Sequence, residues 1–322
     1  MKKQSKKYLI IDFNQILYLT LFAIRKYEDE DEILEWVGAK RRLKEDVFKN
    51  QFRTYFWNRM FNIVNYFDRP DEVILCHDNN SWRKKVFPYY KAKRKETKKV
   101  DNFDWSSFYK MAREFQNDEI DKYSPFIDID CEDCEGDDII AVLTAELAKN
   151  PDNIITIYSN DKDFVQLLKY KNVKLFSGMK NHYVKSSSPK NDLLQLILMG
   201  DNADGIPNVY NKDDAFINPE VDEMTGKKKR QRGLGEVTAR KAIVENRIFS
   251  DIIKTPEIQK NFERNKMLID FDCIPKDVCK MVLEEYKEQK EVVKSPAQFQ
   301  RYLATEGLGV IAANLSKIIY LY

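Results

Sequence analysis

Acidic residues stand at the ends of four apolar runs, where a strand would give way to a loop. They are Asp12, Asp78, Glu135, Asp137, Asp138, Asp161 and Asp163. In an open parallel sheet, ligands bind beyond the carboxyl ends of the strands. We therefore expect these carboxylates to meet at one edge of a sheet. A single carboxylate there is usually a helix cap or a solvated loop residue, but four such strand ends favour a shared site.

So many negative charges at one sheet edge would repel one another unless cations neutralise them. Oxygen ligands favour hard divalent ions, so we expect two Mg²⁺ ions, for which Mn²⁺ could substitute. Zinc is disfavoured because the chain has only two histidines, and the Cys-x-x-Cys pair of Cys131 and Cys134 has no second pair at zinc spacing. Glu135 and Asp138 share a helix face with Asp137 beside them, so this short group could reach two ions.

Two motifs in the second half of the chain could add to the site. Their candidate residues are Asp201 and Asp204 in the first, and Gly233, Gly235, Thr238, Arg240 and Lys241 in the second. The two aspartates either add metal ligands or cap a helix. The glycines precede a helix whose N-terminal N–H groups suit phosphate, and the two cations add positive charge. An ordinary helix-entry turn would give the same glycine pattern.

Positive charge is concentrated in two segments, although 54 Lys and Arg and 52 Asp and Glu nearly cancel to +2. Residues 82–99 contain nine basic residues, one acidic residue and four aromatic residues. The interleaved aromatic residues favour a nucleic-acid contact over a solvated face. In residues 227–232 five of six positions are basic, and here a solvated loop is an equal alternative. The segregation of the two charges, rather than their sum, therefore indicates function.

Alternating strands and helices must position these residues. β-Branched and aromatic runs predict strands at 8–13, 72–76, 126–129, 154–158 and 173–176. Apolar residues at helical spacing predict helices at 47–67, 137–149, 192–199, 237–245 and 277–290. We therefore expect an α/β fold with a mostly parallel central sheet flanked by helices over residues 1–189. Residues 190–322 would form a helical region.

Length and composition exclude several classes of protein. The 322 residues suffice for about two domains, so a small disulfide-stapled scaffold is excluded. Five cysteines in so long a chain indicate reduced thiols. No apolar run is long enough to span a membrane, and polar residues interrupt the apolar run near the N-terminus. We expect a soluble, cytoplasmic protein. A nucleotide phosphotransferase is disfavoured because the chain has no phosphate-binding Gly-x-x-x-x-Gly-Lys loop.

Taken together, these motifs resemble the 5′ nuclease superfamily of flap endonucleases and 5′-to-3′ exonucleases, and within it the phage ribonucleases H of the T-even type. The resemblance is carried by Ile11–Asn14, Leu75–Asn79, Glu135–Ala141 and Ser159–Phe164 as the four acidic motifs, Phe87–Arg94 at the base of a helical arch, and Gly200–Pro207 and Gly233–Ala239 as the two parts of a helix-hairpin-helix. It implies a PIN-like nuclease core with an arch at about 83–110, and a helical DNA-binding domain over residues 190–322. Residues 209–232 form an insertion between the two parts of the helix-hairpin-helix.

The resemblance implies a role for each candidate residue. Asp12, Asp78, Glu135 and Asp137 would surround one metal ion, Asp161, Asp163 and Asp204 would serve a second, and Asp138 and Asp201 are accessory candidates. Lys84, Lys91 and Arg94 would hold the scissile phosphate, and Tyr90 would stack on a terminal base. Arg83, Lys85 and Lys93 would bind nucleic acid, as would Gly233, Gly235, Thr238, Arg240 and Lys241. The two ions would orient the phosphodiester for in-line displacement.

The expected function is hydrolysis of 5′ ends and flaps in DNA and RNA:DNA duplexes, including removal of RNA primers during replication. We expect a monomer that meets replication proteins such as a single-stranded-DNA-binding protein. Two alternatives stay open at this point. One is a PIN-like ribonuclease of single-stranded RNA with an unrelated helical region. The other is a structure-specific DNA-binding protein without catalysis.

Overall fold

The computed structural model describes residues 5–38, 40–94, 102–219 and 232–322. The strands in these ranges are β1 (Lys7–Asp12), β2 (Leu34–Val37), β3 (Lys40–Leu43), β4 (Glu72–Cys76), β5 (Ile127–Ile129), β6 (Ile154–Tyr158), β7 (Val173–Ser177) and β8 (His182–Val184). The α-helices are α1 (Phe13–Tyr27), α2 (Glu30–Ile33), α3 (Glu45–Tyr66), α4 (Arg83–Val86), α5 (Trp105–Phe115), α6 (Asp121–Tyr123), α7 (Gly136–Leu147), α8 (Pro189–Met199), α9 (Glu236–Val244), α10 (Pro256–Ile269), α11 (Lys276–Glu291), α12 (Pro296–Thr305) and α13 (Gly309–Ala312). Residues 162–169 form a 3₁₀ helix.

The central sheet has six strands in the order β5-β4-β1-β6-β7-β8. The first five are parallel, and β8 pairs antiparallel with β7. Asp12 lies opposite Cys76 of β4, and Ile11 lies opposite Tyr158 of β6. Strands β4 and β5 lie on one side of β1, and β6, β7 and β8 lie on the other. The order of the strands therefore reverses at β1, which leaves a crevice beyond the carboxyl ends of β1 and β6. The predicted mostly parallel α/β fold is confirmed.

Helices cover both faces of the sheet because successive strand residues point to opposite sides. In β1, Leu9 and Ile11 join a core with α1, α3 and α5, whereas Ile10 joins a core with α7. Stacked aromatic residues of α3, among them Phe52 and Phe56, fill the first core. Each such buried ring stabilises the fold by roughly 1.5–3 kcal/mol relative to exposure, which fixes the sheet against its helices.

A third, smaller core lies among the helices of the second half. Helices α8, α9 and α10 surround it, and Phe87 and Tyr90 from the basic segment insert into it. Helix α11 packs on the α7 face of the sheet and α12 on the α3 face. The predicted boundary at residue 189 therefore divides the chain by type of secondary structure, whereas the packed cores cross it.

The predicted arch and insertion fall partly outside the described residues. Of the arch predicted at about 83–110, residues 95–101 are not described; α4 and the turns up to residue 94 precede them, and α5 begins at Trp105 after them, so the arch stays a prediction. Of the insertion at 209–232, residues 220–231 are not described, and with them nearly all of the basic run at 227–232. Within the described ranges, the chain has no helix long and apolar enough to cross a membrane.

Gly205 lets the turn at 200–207 dock on the basic segment. Its φ is +72°, and a Cβ built on it would lie 2.9 Å from the carbonyl oxygen of Tyr89. The neighbouring Asp204 carbonyl accepts a 2.7 Å hydrogen bond from the Lys91 N–H. We expect Gly205→Ala to lower the free energy of unfolding by about 1–3 kcal/mol, measured by urea unfolding. Gly233→Ala is the matched control, because a Cβ there meets nothing within 4 Å. Equal stability of the two variants would contradict this account.

Candidate metal centre and nucleic-acid cleft

Most of the carboxylates predicted to meet converge beyond the carboxyl ends of β1, β4 and β6. Asp12 ends β1, caps α1 by accepting from the Gln15 N–H, and accepts a 3.0 Å hydrogen bond from the Ser159 hydroxyl after β6. Asp78 follows β4 and accepts from the Gly136 N–H at 2.7 Å and from the Asn14 amide. Each carboxylate is thus held by a residue from a neighbouring strand end, which fixes the cluster to the sheet.

Several of these carboxylates lie close to one another, and their mutual repulsion and burial outweigh the attraction of the described cations nearby. Burial, followed by the Asp78 charge, raises the pKa of Asp12 to about 6. Burial and the charges of Asp161 and Asp78 raise the pKa of Asp137 well above its usual value. Burial and Asp161 raise the pKa of Asp163 to about 7, and Asp163 Oδ1 is buried with no hydrogen-bond partner among the described residues. This arrangement of negative charge requires either protons or a bound cation.

Glu135 differs from these carboxylates because cations already surround it. Its Oε1 accepts from Lys91 Nζ at 2.5 Å, and its Oε2 accepts from Arg83 at 3.0 Å and from the Ser81 and Tyr90 hydroxyls. Burial alone would raise the pKa of Glu135, but Lys91 and Arg83 lower it to about 2. Glu135 is therefore ionised at neutral pH and holds Lys91 at the rim of the acidic cluster.

The turn at 200–207 brings Asp204 to the same rim. Asp204 accepts hydrogen bonds from Arg94 at 2.8 Å and from the Tyr90 hydroxyl at 3.0 Å. Asp201 accepts from the Ala203 N–H at 2.7 Å and pairs with Lys162 at 3.0 Å. Asp204 thus lies beside the two cations Lys91 and Arg94, whereas Asp201 caps the turn to which it belongs and not a helix.

Three site residues lie elsewhere than the sequence interpretation placed them. Arg83 is 3% exposed and donates to Glu135, Asp138 and the Leu268 carbonyl, so it cannot contact nucleic acid in this arrangement. Asp138 is fully buried, accepts hydrogen bonds from Arg83 and from the Trp82 indole N–H, and shares Arg83 with Glu135. Tyr90 is 4% exposed and hydrogen-bonded to both Glu135 and Asp204, so it cannot stack on a base.

The other predicted cations lie at the surface or line the cleft. A cleft of about 420 Å³ beside the acidic cluster is lined by Asp78, Glu135, Lys84, Lys91 and Arg94. Lys84 and Lys85 are both exposed. Lys84 lines the cleft, whereas Lys85 forms an ion pair with Asp133 at 2.5 Å. Lys93 donates to the Asn202 side chain at 3.3 Å and lies over the Phe216 ring.

The cleft also contains residues that the sequence interpretation missed. Tyr18 of α1 and Tyr109 of α5 share a hydrogen bond across it, and Arg113 pairs with Asp130 at its side. Asn14, two positions after Asp12, also lines it. Asn14 could have been predicted as a site residue, because it lies two positions after Asp12 in the first acidic motif. The contact of Tyr18 with Tyr109 could not, because the two residues are 91 positions apart in the sequence.

The glycine motif before α9 lies on the surface of the third core. Gly235 is the residue that precedes α9, and the buried Leu234 anchors the motif to the core. Gly233, Gly235, Thr238, Arg240 and Lys241 are exposed. No Cβ would be obstructed at Gly233, and at Gly235 it would meet only Thr238 at 3.8 Å. The backbone therefore stays open to solvent at this helix N-terminus, and the predicted helix-hairpin-helix stays a prediction.

The acidic cluster suits hard divalent cations by its chemistry. Its donors are all carboxylate oxygens, and the unpartnered Asp163 Oδ1 together with the mutual repulsion of Asp12, Asp137 and Asp161 leaves negative charge to be neutralised. Within the described ranges, however, no three acidic, His or Cys side chains stand in a geometry that would hold an ion. The residue types and their place at the sheet edge therefore suit the expected divalent ions, and the side chains must reorient to bind them.

The same repulsion makes the stability of the metal-free protein depend on pH. Because the pKa values of Asp12 and Asp163 rise from 3.8 to about 6 and about 7, the folded state binds more protons than the unfolded state between about pH 4 and 7. The free energy of unfolding must fall as pH rises through this window. We expect a higher melting temperature in EDTA at pH 5.5 than at pH 7.5, and a smaller difference in Asp163→Asn. A melting temperature that rises with pH in EDTA would contradict this.

Comparison with known proteins identifies the family. A family model described as the N-terminal resolvase-like domain of 5′-3′ exonucleases matches residues 7–194. The chain belongs to this 5′-3′ exonuclease family. A second model, described as the C-terminal part of T4 ribonuclease H, matches residues 187–318 of this exonuclease. The enzyme class predicted from the sequence, a hydrolytic 5′ nuclease, is thereby confirmed.

Individual relatives agree with this assignment. Ribonuclease H of Enterobacteria phage T4 is 29% identical over 251 residues, which cover 76% of this chain and 79% of that protein. The T5 D15 protein crystallised with metal ions has a similar fold, with a TM-score of 0.58 and 16% identity over 89% of this chain and all of that one. The T5 D15 flap endonuclease in complex with DNA and metal ions gives a TM-score of 0.59 at the same identity and coverage.

Proposed function

We propose that this 5′-3′ exonuclease is a two-metal enzyme that hydrolyses phosphodiesters at 5′ ends and flaps of DNA and RNA:DNA duplexes. The observation that carries the proposal is the set of mutually repelling carboxylates beside a cleft whose rim holds Lys84, Lys91 and Arg94. Negative charge for divalent ions and positive charge for phosphates thus lie side by side, as phosphodiester hydrolysis requires. The DNA and metal ions in the complex of the T5 relative also support the proposal.

In the proposed site, Asp12, Asp78, Asp137, Asp161 and Asp163 hold two Mg²⁺ ions, and Glu135 and Asp204 complete the set from the rim. The ions supply Lewis-acid chemistry for the displacement at phosphorus. Glu135 and Asp204 position Lys91 and Arg94, whose side chains then meet the phosphate that enters the cleft. Lys84, which is exposed at the same cleft, adds a third positive charge that binds the nucleic-acid backbone.

The activity is tested with end-labelled 5′-flap, nicked and RNA:DNA substrates in Mg²⁺, in Mn²⁺ and in EDTA. We expect cleavage from the 5′ end in either metal and none in EDTA. Product size distinguishes release of a whole flap from release of single nucleotides. Binding of flaps without a cut product in either metal would contradict the proposal, and cleavage confined to single-stranded RNA would instead favour a PIN-like ribonuclease.

We further propose that the enzyme acts as a monomer during replication in the cytoplasm of a phage-infected cell, where it removes RNA primers. The similarity to the phage T4 enzyme supports this setting. A contact with a single-stranded-DNA-binding protein or another replication protein stays a prediction. Size-exclusion chromatography of the enzyme with and without flap DNA tests the monomeric state.

A further inference from the structure

A second cavity, of about 700 Å³, lies along α3 on the side of the sheet away from α7. It opens between α3 and the carboxyl ends of β6 and β7, and its lining includes Arg59, Asn62, Tyr66, Tyr158 and Phe176. Tyr158 is the last residue of β6 and directly precedes Ser159, which donates to Asp12. The cavity therefore lies beside the acidic edge of the sheet, yet it shares no lining residue with the cleft described above.

Arg59 is the reason to expect an anion in this cavity. Its guanidinium donates to the Leu19 carbonyl at 3.1 Å, while its Nε is buried with no hydrogen-bond partner. No carboxylate of the described residues forms an ion pair with it, and the Glu28 carboxylate in the same lining accepts instead from Tyr55 and Gln51. An arginine that is half-buried, lines a cavity and forms no ion pair with a described residue is suited to a phosphate.

The remaining walls suit a nucleoside. Tyr66 is 56% exposed, and its ring contacts those of Phe67 and Phe176 at centroid distances of 5.0 and 5.2 Å, which builds an aromatic platform at one end of the cavity. Amide side chains of Asn58 and Asn62 lie along α3 and can read the edge of a base. The volume is that of a small-molecule site and exceeds what a lone phosphate needs.

We propose that this cavity binds one nucleotide, with its phosphate on Arg59 and its base against Tyr66. The inference rests on the proposed function, which brings a nucleic-acid strand and its mononucleotide products to this edge of the sheet. Free nucleotide and a nucleotide within a strand share this chemistry, and the test below distinguishes them. Stacking on an exposed tyrosine and one phosphate contact together account for binding without sequence preference.

The test is calorimetric titration of the full chain in EDTA, which prevents cleavage, with thymidine 5′-monophosphate and with a single-stranded twelve-residue oligothymidylate. We expect Arg59→Gln and Tyr66→Ala to weaken binding at least tenfold, and Arg301→Gln, an exposed arginine on α12, to leave it unchanged. If these two variants bind both probes more weakly than the wild type, the cavity binds a free nucleotide. If they bind only the oligonucleotide more weakly, the cavity binds a nucleotide within a strand. Unchanged affinity of Arg59→Gln for both probes overturns the proposal.

Flap cleavage at saturating substrate is measured on the same proteins. Because Arg59 and Tyr66 lie outside the acidic cluster, we expect both variants to keep the wild-type rate at saturation. If the wild-type enzyme does not cleave flaps, the proposed function is wrong, and the titration still shows whether the cavity binds a nucleotide. If the variants keep both wild-type cleavage and wild-type affinity, only the cavity proposal fails.

Discussion

Asp137→Asn should abolish metal-dependent cleavage and at the same time stabilise the metal-free enzyme. Asp137 lies in the first turn of α7, and its carboxylate accepts no hydrogen bond from a described residue while it faces Asp161, Asp78 and Asp12. Replacing it with a neutral amide removes a metal ligand and also removes repulsion. We expect flap cleavage to fall on the order of 10³-fold, because several kcal/mol of charge stabilisation are lost.

The stability change separates this explanation from simple damage to the fold. In EDTA at pH 7.5 we expect the melting temperature of Asp137→Asn to exceed that of the wild type, because burial and like charges disfavour the ionised carboxylate. Added Mg²⁺ should raise the wild-type melting temperature more than that of the variant. Asp118→Asn, an exposed carboxylate near α5, is the matched control and should change neither quantity. Retained cleavage, or a variant that melts earlier in EDTA, would contradict the role given to Asp137.

The sequence predicted the sheet well because its parallel strands are buried on both faces. All five predicted strands form within one or two residues of their predicted bounds, since continuous apolar runs are typical of such strands. The hairpin of β2 and β3 was missed because Lys40 to Arg42 are polar and the exposed Trp36 and Val37 pack on no core. Strand β8 was missed because it is a three-residue edge strand.

The acidic site was predictable for a related reason. A carboxylate directly after a buried strand reaches the sheet edge whatever the loops do, so Asp12, Asp78 and Asp161 could be placed from sequence. The pairing of individual acidic and basic residues could not be predicted from the sequence. Arg83 lies in a run of basic residues, and nothing local shows that it turns inward to Glu135 and Asp138 while Lys84 and Lys85 stay exposed. That choice is made by packing against α7 and the Leu268 carbonyl, which comes from a distant part of the chain.

Arg83→Met should destabilise the enzyme by roughly 3–5 kcal/mol, because it leaves the buried Asp138 without its cation and Glu135 with Lys91 alone. The guanidinium donates to Glu135 at 3.0 Å, to Asp138 at 2.9 Å and to the Leu268 carbonyl at 2.7 Å. Methionine fills a similar volume but satisfies none of these acceptors. Urea unfolding in the absence of substrate should show the loss as a lower midpoint at an unchanged slope.

Two further proteins decide whether Arg83 acts on the fold or on the substrate. Lys85→Met removes an exposed cation two positions along the same segment and should leave the unfolding midpoint near that of the wild type. The double variant Arg83→Met/Asp138→Asn should recover part of the loss, since it removes the buried charge of Asp138 that Arg83→Met leaves unpaired. A residue that only contacted phosphate would behave differently, with normal unfolding and a raised, salt-dependent KM. Normal unfolding with a raised, salt-dependent KM in Arg83→Met would support the nucleic-acid contact predicted from the basic run. A lowered unfolding midpoint would instead show that Arg83 supports Glu135, and through Glu135 positions Lys91 at the rim of the cleft.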